Sequence, residues 1–412
     1  MALAVVVSNV VGLVFTIAFA RILGASDYGS LAVLISAWII LMVPGSALQV
    51  AVAREVSRAE ASGRSDAGAG VMRWLERLAL ATVVVALLAI PLRGIIAAVL
   101  NVDEDWAAAA VPLSCMLWML LSVERGALQG FGEYRVVALS VIGEAGARLV
   151  FALALVGVGL DVTGAFLGTP ASLVAVGLAL AVPLRRRLPL HLPGVVRMGR
   201  LRDLLAGAWA PAAGLTLLFA FQELHVIVVK HEASSDAAGA YAVSAVAAKA
   251  IIWVAVGLGL YLVPEAARRT ETGVDARPIL RRVLALIVAF SIPPLLIFAV
   301  AGEPLLSAAF GDDLAGASDG LPWLGLAMAL LACTYLSVQY MLALGRTAFI
   351  WILAVGVVAE VVVVATIGDD LTRVARAMCG LQALFAALIV AMAFRTRARA
   401  REASPAREAA PA

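Results

Sequence analysis

Residues 2–53 read ALAVVVSNVVGLVFTIAFARIL, then GASDYG, then SLAVLISAWIILMVPGSALQVAVA. Crossing the roughly 30 Å hydrocarbon core of a bilayer takes about 20 mostly apolar residues at 1.5 Å per residue. Residues 2–23 satisfy that length, and residues 30–53 satisfy it again after a short polar link. The pair predicts two successive membrane spans. A cleaved signal peptide would carry a shorter apolar core, and none is expected here.

The rest of the chain repeats this pattern. Of 412 residues, 63% are hydrophobic and only 14% charged; mean hydropathy is +1.01. Soluble domains run about 45–50% apolar and about 25% charged, and a single core stops growing near 250–300 residues. Soluble enzymes, nucleic-acid binders and disordered scaffolds are therefore excluded. Twelve spans are predicted, at 2–23, 30–53, 75–100, 106–123, 136–159, 162–184, 204–230, 237–264, 279–301, 321–344, 347–367 and 371–394. The fifth and sixth are joined by a tight turn at Asp161. The fold class is an all-α polytopic membrane protein.

The basic residues orient it. With the N-terminus inside, cytoplasmic loops and tail hold 24 of the 31 Lys and Arg residues, Arg125 among them, and the outer loops hold five. That bias places both termini in the cytoplasm. The overwhelming use of Arg, with lysine only at Lys230 and Lys249, points to a GC-rich bacterial genome and hence a bacterial cytoplasmic membrane. Cys115, Cys333 and Cys379 lie far apart in apolar runs and suggest neither disulfides nor a metal site. Glu223 and His225, read as near the outer end of the seventh span, do not share a helix face, so no metal is expected there.

A basic linker, 185–203, divides the chain into a six-helix lobe at 1–184 and another at 204–394, with a disordered basic tail at 395–412. Six is even, so the lobes enter the membrane in the same sense, as parallel repeats. Two self-matches support the duplication. Arg21, Asp27 and Gly29 at the first junction correspond to Lys230, Asp236 and Gly239 at the seventh. Leu121-Ser122-Val123 followed by Glu144 corresponds to Leu336-Ser337-Val338 followed by Glu360. The offsets are 209 residues (Arg21 to Lys230) and 215 (Leu121 to Leu336).

Charges inside spans cost about 2.5–3.5 kcal/mol at the bilayer centre, so they face the bundle interior. Arg148 and Lys249 each lie roughly 18 Å into their spans, near the midplane. Glu144 shares a face with Arg148 at i,i+4 and is its expected partner; Glu360, at similar depth, is the expected partner of Lys249. Such pairing is compatible with both cations also lining a polar cavity. Arg21 and Lys230 sit at the outer mouth, where a cation also suits a helix C-terminus. Pro44, Pro112, Pro211, Pro293 and Pro294 fall within spans and are expected to break or bend them.

Several of these stretches resemble the polysaccharide (O-antigen type) flippase family of the multidrug/oligosaccharidyl-lipid/polysaccharide exporter superfamily. The likeness rests on Asn9, Ala20-Arg21-Ile22-Leu23-Gly24 and Asp27-Tyr28-Gly29, then Gly126-Ala127-Leu128-Gln129-Gly130-Phe131-Gly132 with Glu144, then Val228-Val229-Lys230-His231, Ala238-Gly239-Ala240-Tyr241 and Lys249. His225 stands where family members often carry Asp. The resemblance implies two lobes around a central cationic cavity. It also implies flipping of a polyprenyl-diphosphate-linked oligosaccharide from inner to outer leaflet, for cell-surface polysaccharide such as lipopolysaccharide O-antigen.

Arg21, Arg148, Lys230 and Lys249 are the candidate substrate contacts, through charge-assisted hydrogen bonds. Glu144 and Glu360 are the candidate coupling or ion-pair acids. No catalytic residue, cofactor, metal or nucleic acid is expected; the partners are the lipid-linked glycan, membrane lipids and a glycan polymerase or glycosyltransferase. Moving about two negative charges outward gains up to about 4.6 kcal/mol per 100 mV, inside negative. The alternative is a cation-coupled multidrug-type exporter, which needs an intramembrane acid. A more remote one is a polyprenyl-dependent glycosyltransferase using Asp103-Glu104-Asp105, against which stands the shortness of that loop.

Overall fold

The computed structural model describes residues 2–62, 67–187 and 201–396. The proposed linker falls mostly, and the proposed tail almost wholly, outside the described residues. Eleven of the described helices are long and apolar enough to cross a membrane. They are α1 (Ala2–Ala61), α2 (Ala67–Leu100), α3 (Asp105–Gly130), α4 (Tyr134–Gly157), α5 (Asp161–Arg187), α6 (Leu201–Glu232), α7 (Ser235–Glu271), α8 (Arg277–Phe310), α9 (Leu321–Ala343), α10 (Phe349–Ile367) and α11 (Leu371–Arg395). A short 3₁₀ segment, Asp312–Gly320, links α8 to α9.

Eleven helices accommodate the twelve expected spans because α1 contains two. Its 60 residues would reach about 90 Å if straight. At Gly24 the backbone leaves helical geometry (φ 76°, ψ −178°), a conformation that a residue without a Cβ adopts freely. The turn expected at Asp161 is present, with Asp161 at φ 38° after Gly159 at φ 87°.

Two expectations change. α3 continues to Gly130, past the expected end of its span at residue 123. Arg125 is therefore a buried helical residue and not a loop cation. The named prolines lie inside helices and do not end them, while the non-helical dihedrals fall at Gly24 and Ala301. A proline removes one i→i−4 bond, and neighbouring helices support the rest.

The outer surface is apolar, and a set of charged and polar side chains is buried within a mostly apolar interior. α2 exposes Leu80, Leu87 and Ile95, and α8 exposes Phe290, Leu296 and Val300, surfaces that suit lipid and not water. Arg125, Glu223, Lys249, Glu360 and Gln382 are buried. In the N-terminal lobe α1 packs on α3, α4 and α5; in the other, α7 packs on α8 and α9, and α6 on α10. Gly126 and Gly130 let α3 lie directly on α1: added Cβ atoms would stand 2.6 Å from the Gln49 carbonyl oxygen and 2.6 Å from Val56 Cβ. This is the small-xxx-small contact of membrane helices, and it explains the glycine spacing in that motif.

The lobes meet through α1 against α6 and α7. One apolar core, running from Phe19, Tyr28 and Leu31 to Val229, Tyr241 and Ala245, crosses between them at the Gly24 end. Toward the other end, Leu48, Val52, Val56, Trp74, Leu121 and Leu128 form a second cluster made wholly of N-terminal-lobe residues.

Candidate functional site

Between the lobes lies a cavity of about 520 Å³ with walls from α1, α3, α4, α6 and α7. Its charged lining comprises Arg125, Arg148 and Lys249 against Glu144 and Glu223, leaving one cation in excess. Phe15, Trp38, Trp118, Phe219 and Trp253 supply aromatic surface, and Asn9, Gln49 and Gln222 supply amides.

Each carboxylate is bound, though not as expected. Glu144 Oε2 pairs with Arg125 Nη1 at 2.9 Å. Arg125 Nε also donates to Ser140 Oγ, and its Nη2 to the Ser140 carbonyl, both at 2.9 Å. The i,i+4 pairing of Glu144 with Arg148 is thus replaced by a pairing between helices, because Arg125 is held at three points. Similarly, Lys249 Nζ donates to Glu223 Oε2 at 2.6 Å, which overturns its expected pairing with Glu360. Glu223 also accepts from Ser36 Oγ at 2.7 Å and from Gln222 Nε2 at 2.9 Å. The Ser36 bond ties the lobes together at mid-depth.

Arg148 is left over. It has no carboxylate partner within ion-pair distance among the described residues, and its Nε has no hydrogen-bond partner. Its guanidinium lies 5.0 Å from the Phe15 ring centroid and 5.9 Å from that of Trp38. Ring faces attract a cation but do not neutralise it, so the guanidinium keeps its capacity to bind an anion.

The remaining sequence candidates stand elsewhere. Glu360 is fully buried, outside the cavity lining, and neither of its oxygens has a hydrogen-bond partner. His225 on α6, which bonds the Tyr241 hydroxyl at 2.9 Å, and Gln382 on α11, which donates to the Phe221 carbonyl at 3.1 Å, are buried in the same lobe. Arg21 donates to the carbonyls of Ala308 and, at 2.8 Å, Ala309 near the end of α8. It acts there as a clasp between lobes. Lys230 donates to Ser235 Oγ at 3.2 Å, and its carbonyl accepts from Asn101 at 2.6 Å.

These last contacts close the Gly24 end. His231 bonds the Val99 carbonyl at 3.0 Å. The duplicated junctions meet face to face: a Cβ on Gly29 would stand 3.1 Å from the Gly239 nitrogen, and one on Gly239 1.9 Å from the Ala25 oxygen. Among the described residues no group of three or more His, Cys, Asp or Glu could hold a metal ion.

Sequence reasoning missed Arg125 and Glu223 as site residues. The signal available for both was the cost of a charge inside a helix, which requires a partner.

A family model described as "Polysaccharide biosynthesis protein" matches residues 1–261. No curated protein matches the chain. Among solved structures it is similar to an inward-facing multidrug resistance MATE family transporter of the MOP superfamily, at 12% identity, 94% coverage of each chain and a TM-score of 0.77. It is also similar to the lipid II flippase MurJ in an inward closed conformation, at 12% identity over 96% of this chain and 87% of that one, TM-score 0.72. A third is an outward-facing MATE family transporter, at 13% identity over 96% and 92%, TM-score 0.64. These likenesses show that the chain shares its fold with MATE family transporters and with MurJ. The chain belongs to the polysaccharide biosynthesis protein family.

Proposed function

We propose that the protein is a flippase that carries a polyprenyl-diphosphate-linked oligosaccharide from the inner to the outer leaflet of a bacterial cytoplasmic membrane. The observation that carries this reading is Arg148, a guanidinium without a carboxylate partner that faces the inter-lobe cavity. A diphosphate headgroup supplies the missing anion, and the aromatic and amide lining suits sugar rings. The family description, polysaccharide biosynthesis, supports the same substrate class. Lys249 is a second substrate contact once Glu223 yields it, whereas Arg21 and Lys230 hold the outer seal.

The arginine bias supports an orientation with the sealed Gly24 end outside and both termini inside. The cavity then loads from the cytoplasm, and rocking of the lobes parts the Gly29–Gly239 contact to release the substrate outside. No bond of the substrate is broken in this cycle. Glycosyltransferases and a polymerase are the partners such a carrier serves.

A second reading, an exporter coupled to a cation, draws on Glu360, a buried acid whose oxygens lack partners. Reconstitution into liposomes with a labelled polyprenyl-diphosphate glycan and a cationic dye separates the two. Flipping of the lipid without dye transport is expected; dye transport without flipping overturns the flippase reading.

A further inference from the structure

Beside the main cavity lies a second one of about 70 Å³, lined by α6, α7 and α9 of the C-terminal lobe. The two cavities share Phe219, Gln222 and Trp253 as a common wall. A single water needs about 10–15 Å³, so this space takes a substituent of a few heavy atoms. Leu218, Ile252, Val256 and Leu331 make most of it apolar, which suits a methyl group better than water.

Two of its polar groups, on Gln222 and Tyr335, have complementary vacancies. The Gln222 amide nitrogen already donates to Glu223 Oε1 at 2.9 Å, so its side-chain carbonyl is the part left to accept. The Tyr335 hydroxyl already accepts from Gln339 Nε2 at 2.8 Å, leaving its own proton to donate. One acceptor, one donor and an apolar pocket match a secondary acetamide: N–H to Gln222, C=O from Tyr335, methyl against the aliphatic wall. A bare hydroxyl would leave the apolar space unfilled. A carboxylate would lose its hydration without gaining a cation.

We infer that this side cavity is an acetamido subsite, which selects a phosphate-linked sugar bearing an N-acetyl group. The inference rests on the reading of the main cavity as a lipid-linked sugar site. Sites built to hydrogen-bond a polar substituent discriminate strongly against analogues lacking it.

The test uses soluble ligands, so it does not depend on flipping. Calorimetric titration of the purified full-length protein with N-acetylglucosamine 1-phosphate and with glucose 1-phosphate should give at least tenfold tighter binding of the former. Val256→Phe fills the pocket and Tyr335→Phe removes only the hydroxyl; each should bring the affinity ratio to within about twofold of unity. Arg148→Ala should weaken both ligands alike and preserve the ratio. Equal wild-type affinities, failure of N-acetylglucosamine 1-phosphate to bind, or a ratio that survives both pocket variants overturns the subsite. If both ligands bind equally and both depend on Arg148, the subsite fails while the anion-binding reading stands. A preserved ratio in a protein that flips no lipid sinks the flippase and leaves the subsite.

Discussion

Glu144 binds Arg125 on the neighbouring helix at 2.9 Å and leaves Arg148, one turn along its own helix, facing the cavity without a carboxylate. Two guanidiniums lining one cavity therefore do different work. Arg125 is anchored by Ser140 and Glu144; Arg148 rests against ring faces and retains its charge for a ligand.

The two arginines should respond oppositely to truncation. Arg148→Ala strands no carboxylate, so the protein should accumulate normally while glycolipid flipping falls at least tenfold. Arg125→Ala leaves the half-buried Glu144 and the buried Ser140 without their donor and should lower the melting temperature and membrane abundance. Membrane abundance and melting temperature, measured beside flipping in proteoliposomes, check both. Normal flipping by a well-expressed Arg148→Ala protein removes that residue from the ligand site.

At Lys249 and Glu223 the pair should matter more than either member. Lys249→Met alone strands a fully buried carboxylate, and a loss of about 3–5 kcal/mol is expected. Adding Glu223→Gln removes the stranded charge and should restore most of the melting temperature without restoring transport. A double variant no more stable than the single one would show that the pair is not what holds this region.

Gly239→Ala should be more severe than Gly29→Ala. The added methyl at Gly239 meets backbone at 1.9 Å, against 3.1 Å at Gly29, and backbone cannot rotate out of the way. The seal should fail to close, so that a cysteine placed at Ala242, a cavity-lining position, becomes reactive from outside the cell. Unchanged reactivity in Gly239→Ala would mean the contact is not the gate.

The seal should also be pH-sensitive through Glu104. Burial above all, with Asp103 and Asp27 nearby, raises its carboxyl above the ordinary carboxylate value, against its own backbone bond and Lys230. The folded protein then holds that proton more tightly than the unfolded chain. The resulting stability is complete below the unfolded value and is lost as pH rises through the raised one. Glu104→Gln, which mimics the protonated form, should flatten the dependence of melting temperature on pH above 4.5.

Hydropathy made the twelve spans legible because each element must bury its backbone polar groups within itself across the bilayer. It also gave both junction motifs, although not that Gly29 and Gly239 touch. The pairings were not legible. Glu124 and Arg125 made the end of α3 read as loop, since a window average cannot know that Glu144 and Ser140 wait on the next helix. Glu223, nine residues before the end of α6, read with His225 as lying near the outer end of its span, where a charge needs no partner. The i,i+4 rule for Glu144 and Arg148 failed because a triply held arginine from α3 outcompeted a neighbour on the same helix.

The break at Gly24 makes the first part of α1 a lever. Its near arm carries Gly12 and Phe15 against the Arg148 guanidinium; its tip holds the α8 carbonyls through Arg21. An anion that draws Arg148 off its ring faces takes a contact away from the same helical arm that clasps the opposite lobe. Ligand-facing and lobe-clasping contacts are in this way carried by one helical arm, which ends where the backbone breaks at Gly24.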